Sequence, residues 1–478
     1  MSPDINKLKR AFDPATVVVV GDKQQNHFMW LKALRDFKGK LYSVQIDPKE
    51  IAEIEKLGFT NYLTLDQVPG PVDYVVVAVP RQVSPRIIAD CIRKDVAGVA
   101  LFTSGFAETS TPEGIKLQDT LKEMALKSNL NLIGPNCMGL YNRKLNLRHS
   151  VTQPGGNPGD AGFISQSGTH ATFMSEEGEM HGVKVAKSAS YGNAIVLDSV
   201  DFLEMMAADD EIKIIGMYIE GVREGKRFFR SLKNITPRKP VVIWKAGLTA
   251  DGSRAAASHT ASLAESPLIW ESLFRQTGAI SVGSRTELID IMKTLLYVKP
   301  ITGTRAGLIA MSGGQSVVFS ESFARAGLKV PRLTSSSYDA FSSFFNIIGG
   351  SYQNPLDVSW NLPSVEVMIR MLDILASDSN LDMIALEVSP FFQAKMWEDH
   401  PDFFDEMSRA LLQFRNRCPK PFFLVIIPGP RELTALDIRN KFRDIGLPSF
   451  FSFESAALAL RKVADYYRFS AGHVEVKQ

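Results

Sequence analysis

Ten short apolar runs recur along this chain, at residues 17–21, 74–80, 99–105, 132–137, 162–168, 214–221, 241–247, 307–314, 383–390 and 422–429. Each is strand-length, rich in Val, Ile or Phe, and ends in small or turn-forming residues. Between most of them lie segments with helical spacing, such as 86–94, 114–127 and 287–296. A strand apolar on both faces is buried on both, which happens where helices cover a parallel sheet from either side. The alternation therefore predicts an α/β protein built from doubly wound parallel sheets.

The chain has 478 residues, a length that suits about three such domains. Two turn-rich stretches, QPGGNPGD at 153–160 and PITGTR at 300–305, mark boundaries near Gly156 and Gly303. The expected domains are 1–150, 157–300 and 304–478. An internal repeat fits this cut: residues 161–185 and 306–330 align without a gap, and ten of twenty-five positions are identical. The second and third domains are thus expected to open with the same strand–loop–helix unit.

Composition excludes several classes of function. The formal net charge is only +2, from 54 Lys+Arg against 52 Asp+Glu, so a nucleic-acid binder working through a basic surface is excluded. Three cysteines cannot build a disulfide framework, and no CxxC pair offers a metal site, so no metal is expected. The first residues lack the apolar stretch of a signal peptide, and no apolar run reaches the ~18 residues of a membrane span. A cytoplasmic protein is expected.

Candidate chemistry gathers at strand ends. The first strand runs into Gly21-Asp22-Lys23-Gln24-Gln25-Asn26-His27, where a Rossmann unit would hold a pyrophosphate on the following helix. The glycine fingerprint of NAD-binding folds is reduced here to Gly21. The second strand ends in Asp47-Pro48-Lys49, where Asp47 could accept a ribose hydroxyl and Lys49 meet a phosphate; a plain polar turn is the alternative. Later strands of this domain end in Val79-Pro80, Thr103-Ser104-Gly105 and Gly134-Pro135-Asn136-Cys137. The second domain opens with a strand and then Ser165-Gln166-Ser167-Gly168-Thr169, small and hydroxylated residues at a helix start that suit an oxyanion.

Among seven histidines, His149, His181, His400 and His473 lie in polar or turn-like surroundings and read as surface residues. His27 could cap a loop, and His170 lies on the helix behind the Ser165–Thr169 turn. His259 differs, because nearly all its neighbours from Ala255 to Ser262 are small, which leaves an imidazole accessible on a loop. With an ordinary pKa near ~6.5 it is largely neutral at pH 7 and can act as a nucleophile. Such a histidine needs an acceptor on its other nitrogen, and Glu220, at the end of the preceding strand, is the candidate.

Taken together, these residues resemble the α subunit of NDP-forming acyl-CoA synthetases, the acetate–CoA ligase (ADP-forming) group, and more distantly the succinyl-CoA synthetase α subunit. The resemblance spans nearly the whole chain. It rests on Gly134-Pro135-Asn136-Cys137-x-Gly139, Ile164-Ser165-Gln166-Ser167-Gly168, Tyr218-Ile219-Glu220-Gly221, Lys245-Ala246-Gly247, Ser258-His259-Thr260-x-Ser262-Leu263-Ala264 and Asn354-Pro355-Leu356-Asp357, in this order. It implies a Rossmann-like CoA-binding domain followed by two flavodoxin-like domains. It also implies that phosphate cleaves an acyl-CoA to an acyl phosphate and free CoA, and that the acyl phosphate then phosphorylates His259. A partner β subunit with an ATP-grasp domain, binding ATP/ADP and Mg, would collect the phosphoryl group in an α2β2 assembly.

By the same resemblance His259 is the carrier, Glu220 its orienter, and Ser165, Ser167, Gly168 and Thr169 the phosphate seat. CoA would lie against Gly21, Lys23, Gln25, Lys49, Val79, Pro80, Thr103, Ser104, Gly105 and Asn136. Three departures from the family pattern stand out: residues 22–27 contain neither Gly nor Pro, Ala261 and Glu265 replace glycines near His259, and His170 replaces an apolar residue. Two other readings fit parts of the chain: a CoA- or acyl-CoA-binding regulatory protein without phosphoryl transfer, and an NAD-linked oxidoreductase.

Overall fold

The computed structural model describes residues 4–260, 266–359, 361–392 and 401–474. All ten apolar runs contain strands, and the chain forms three sheets, parallel throughout except for one edge pair.

The first sheet contains β1 (Thr16–Val20), β2 (Lys40–Val44), β3 (Thr60–Tyr62), β4 (Tyr74–Val77), β5 (Gly98–Leu101) and β6 (Leu132–Ile133), in the order β3-β2-β1-β4-β5-β6. This is the Rossmann order, with its switch point between β1 and β4. Its central strands β1, β4 and β5 are apolar throughout because alternate side chains enter two different cores. Val17 and Val19 join Trp30, Leu31 and Val76 on one face, while Val18 and Val20 join Val75, Val77 and Ile88 on the other.

The second sheet contains β7 (Gly139–Asn142), β8 (Ala161–Ser165), β9 (Val185–Ser190), β10 (Ile214–Ile219), β11 (Val241–Lys245) and β12 (Ile280–Val282), in the order β12-β11-β10-β8-β9-β7. Without β7 this is the flavodoxin order. The segment 1–150 supplies β7, which pairs antiparallel with β9, Gly139 opposite Ser190. Both sheets belong to one compact unit, residues 1–179 and 183–285.

The other unit, residues 180–182 and 286–478, holds the third sheet. It contains β13 (Ala306–Ala310), β14 (Leu356–Asp357), β15 (Met383–Val388), β16 (Phe422–Ile426) and β17 (Ser449–Phe450), in the order β14-β13-β15-β16-β17, again flavodoxin-like. The repeat seen in the sequence is a repeat of structure. β8 and the helix Gly168–Met180 recur 145 residues later as β13 and the helix Gly313–Arg325. At the end of β13 the Met311 N–H donates to Glu387 Oε2 at 2.8 Å. Glu387 is fully buried, its Oε1 has no hydrogen-bond partner among the described residues, and burial lifts its carboxyl to about 7.

Among the described residues no helix is long and apolar enough to cross a membrane. Two histidines read as surface are not. His149 is 1% exposed, within hydrogen-bonding reach of Gln153 and Thr172, and burial pushes it down to about 3. His181 packs edge-on against Phe451, and burial with nearby cations lowers it to about 4. The turn-like sequence around each conceals this, because the covering residues come from distant segments. His400 and the side chain of His473 lie outside the described residues.

Candidate active site

The carboxyl edge of the first sheet gathers most of the residues expected to contact CoA. Gly21 has φ +84°, and a Cβ there would lie 2.5 Å from Val79 Cγ1, so the loop passes tightly over the end of β4. Thr103 Oγ1 donates to the Val79 carbonyl at 2.6 Å, and the Asn136 N–H donates to the Thr103 carbonyl at 3.0 Å. Gly21, Val79, Thr103 and Asn136 are thereby brought together. Pro80, Ser104, Gln25 and Lys49 are exposed at the rim, and Lys23 is half-buried.

Several backbone donors of this edge are already committed. Asp22, 0% exposed, accepts the Lys23 N–H on Oδ1 at 3.1 Å and the Trp30 and Leu31 N–H groups on Oδ2, both at 3.0 Å. The helix Met29–Ala33 is therefore capped by the chain's own carboxylate, where a bound pyrophosphate was expected. Burial raises the Asp22 carboxyl above its ordinary value, partly offset by these N–H donors, and nearby Glu50 adds to the rise. Glu50 Oε2 itself accepts the Gln24 N–H at 2.7 Å. A third carboxylate, Glu108, accepts the Gly105 N–H at 2.6 Å and the Phe106 N–H at 3.1 Å. Asp47 accepts the Lys49 N–H as the cap of the helix Pro48–Lys56, which is the polar-turn alternative.

The turn after β8 is different. Ser165 Oγ donates to the Ser167 carbonyl at 2.6 Å and accepts the Ser167 N–H at 3.2 Å, closing a tight corner. Ser167 Oγ accepts the His170 N–H at 3.4 Å. The N–H groups of Gly168 and Thr169, at the start of a 13-residue helix, have no acceptor among the described residues. A Cβ at Gly168 would lie 2.7 Å from Met138 Cγ, so glycine permits the close approach there.

Gln166 was missed as a functional residue. Its side-chain oxygen accepts the N–H groups of Glu220 at 2.9 Å and Gly221 at 3.1 Å, tying the turn to the end of β10. Lys245, also passed over, donates from Nζ to the Glu220 carbonyl at 2.9 Å and to Ala246 O at 2.6 Å. Glu220 is 5% exposed, and Tyr218 donates to its Oε1 at 3.2 Å. Each lies in a family-like motif, which was the available signal; only the fold shows what each one holds.

His170, the third residue of this helix, packs against the rings of Tyr218 at 4.3 Å and Trp244 at 4.7 Å. Burial lowers its pKa, Arg285 adds to the fall and Glu220 opposes it. The aromatic seat accounts for a histidine where the family pattern has an apolar residue.

His259 falls in the last turn of the helix Ala250–Thr260, where a loop was expected. The alanine-rich run that leaves an imidazole accessible is also among the best helix-forming sequences. This helix packs near the 3₁₀ turn Ala107–Thr109. The His259 side chain, and residues Ala261 and Glu265, lie outside the described residues. Beside Gln166 and Gly221 opens a cavity of about 1550 Å³, with Asn193, Val222, Phe228 and Trp270 in its wall.

Comparison with known proteins fits this geometry. Residues 15–143 match the family described as CoA binding domain, and residues 158–295 match the succinyl-CoA ligase like flavodoxin domain. The α subunit of acetate–CoA ligase (ADP-forming) II of Pyrococcus furiosus is 30% identical over 453 residues, covering 94% of this chain and 95% of that protein. The chain belongs to the ADP-forming acetate–CoA ligase family.

Acetate–CoA ligase (ADP-forming) I of Archaeoglobus fulgidus is 34% identical over 389 residues, 81% of this chain. Those residues make up 55% of that relative, so the chain spans about half the length of some family members and nearly all of others. The structure of Ca. Korarchaeum cryptofilum dinucleotide forming acetyl-coenzyme A synthetase 1, in complex with phosphate and ADP, superposes with a TM-score of 0.83 at 25% identity, over 98% of this chain and 99% of that one. These relatives support the ligase reading and neither the regulatory nor the oxidoreductase alternative.

Proposed function

We propose that this chain is the CoA-binding and phosphohistidine-carrying part of a nucleoside-diphosphate-forming acyl-CoA synthetase. Phosphate displaces CoA from an acyl-CoA to give an acyl phosphate. His259 attacks its phosphorus, the carboxylate leaves as the free acid, and ADP held with Mg by an ATP-grasp partner subunit takes the phosphoryl group from the histidine. All steps are reversible, and an α2β2 assembly is the form this reading expects.

The observation that carries the reading is the link from Gln166 to the Glu220 and Gly221 N–H groups. It couples a turn with open N–H donors to a buried carboxylate at the next strand end. The Gly168 and Thr169 N–H groups and the helix dipole suit a phosphoryl oxygen. Glu220 suits the nitrogen of His259 opposite the phosphoryl group, holding its tautomer and stabilising the cation. The cavity beside them has room for the acyl end and the pantetheine arm.

The test is to incubate the chain and its ATP-grasp partner with γ-labelled ATP and magnesium. An acid-labile, base-stable label that disappears in His259→Asn is expected. Acid-stable label, or label persisting in His259→Asn, would overturn the proposal.

A further inference from the structure

Two carboxylates close the first-domain loop, and neither has a part in the reaction above. Asp22 is fully buried, with three N–H donors converging on it, and is a fixed part of the fold. Glu50 differs. It is half-buried in the first turn of the helix Pro48–Lys56, and among the described residues it is hydrogen-bonded to the loop through the Gln24 N–H at 2.7 Å. Lys23, next to Gln24 in sequence, and Lys49, next to Glu50, form no ion pair among the described residues. Each end of the Gln24–Glu50 bond thus has a lysine without an ion pair as its neighbour in sequence, while the carboxylate already occupies the backbone donor.

We infer that Glu50 is a specificity-determining gate for the diphosphate of CoA, which must displace its carboxylate from the Gln24 N–H to reach Lys23 and Lys49. This deepens the CoA assignment and rests on it. An ionised diphosphate and an ionised carboxylate compete for the same donor and repel each other at short range, so the ligand binds only as Glu50 turns away. A thiol carrier without phosphate, such as pantetheine, makes no claim on that donor and is indifferent to Glu50. The gate therefore weakens phosphate-bearing ligands selectively and raises the share of binding carried by the two lysines.

The experiment is calorimetric titration of the full chain and of Glu50→Gln with CoA and with pantetheine, at low and high salt. Thermal melts confirm that both proteins fold; the substitution touches an exposed helix start, and little change is expected. Glu50→Gln should bind CoA about tenfold more tightly at low salt and pantetheine no differently, and the CoA gain should shrink at high salt as the repulsion is screened. Equal CoA affinities for the two proteins would overturn the gate while leaving CoA binding intact. An equal gain for pantetheine would also overturn it, since Glu50 would then act through the fold. No CoA binding by either protein would remove the CoA assignment itself.

Discussion

The loop after β1 and the turn after β8 occupy the same place in their sheets. Each leaves the first strand of a parallel sheet and leads into a helix, the position where such folds receive anions. They have opposite states. In the first, the N–H groups of Lys23, Gln24, Trp30 and Leu31 are bound to Asp22 and Glu50. In the second, the N–H groups of Gly168 and Thr169 have no acceptor among the described residues, Gln166 accepts the backbone N–H of Glu220, and the Glu220 carboxylate accepts from Tyr218. Position in the fold makes backbone donors available to an anion; the nearest acidic side chain decides whether they stand open or must first be released.

The largest effect should come from untying the open site. Gln166→Ala removes the acceptor for the Glu220 and Gly221 N–H groups, and kcat should fall about a hundredfold with the KM for CoA unchanged. Gln166→Glu, which keeps an acceptor, should retain more activity; equal losses in both variants would show that the tie does not position Glu220. On the occupied side, Asp22→Ala leaves three N–H groups unsatisfied, those of Trp30 and Leu31 buried, and should destabilise the chain by about 2–3 kcal/mol in chemical denaturation. A loss under 0.5 kcal/mol (roughly the scale of surface changes) would mean that Asp22 is no cap. The smallest effect belongs to the exposed rim. Lys49→Ala should raise the KM for CoA about threefold at low salt and leave it unchanged at high salt; a salt-independent effect would point to a direct packing role.

The occupied loop also marks where sequence reasoning ended. The ten apolar runs disclosed the parallel sheets because burial on both faces demands apolar residues at every position. β9 escaped notice, since its sequence VAKSAS is half polar yet buried throughout. Lys187 survives there because Asp13 and Asp209 reach it at 2.9 and 2.8 Å from far along the chain. Asp22 was hidden for a similar reason: its partners Trp30 and Leu31 lie eight and nine residues on, beyond the spacing of an ordinary cap. The resemblance to a known family marked His259 and Glu220, whereas Gln166 and Lys245 act through backbone groups that motifs do not display.

The duplicated strand–helix unit reverses its cross-stitch between the two copies. In the first, an amide on the turn, Gln166, reaches across to accept from the neighbouring strand end. In the second, Met311 stands at the matching position and offers no such acceptor, and Glu387 reaches back from the neighbouring strand to accept the turn's N–H. An amide stitch carries no proton to lose. A carboxyl stitch at about 7, against an ordinary 4.5, holds a proton that the unfolded chain has already released. Its contribution is complete below 4.5 and declines as the pH rises through 7, so one stitch carries no charge change across that range and the other is loosened over it.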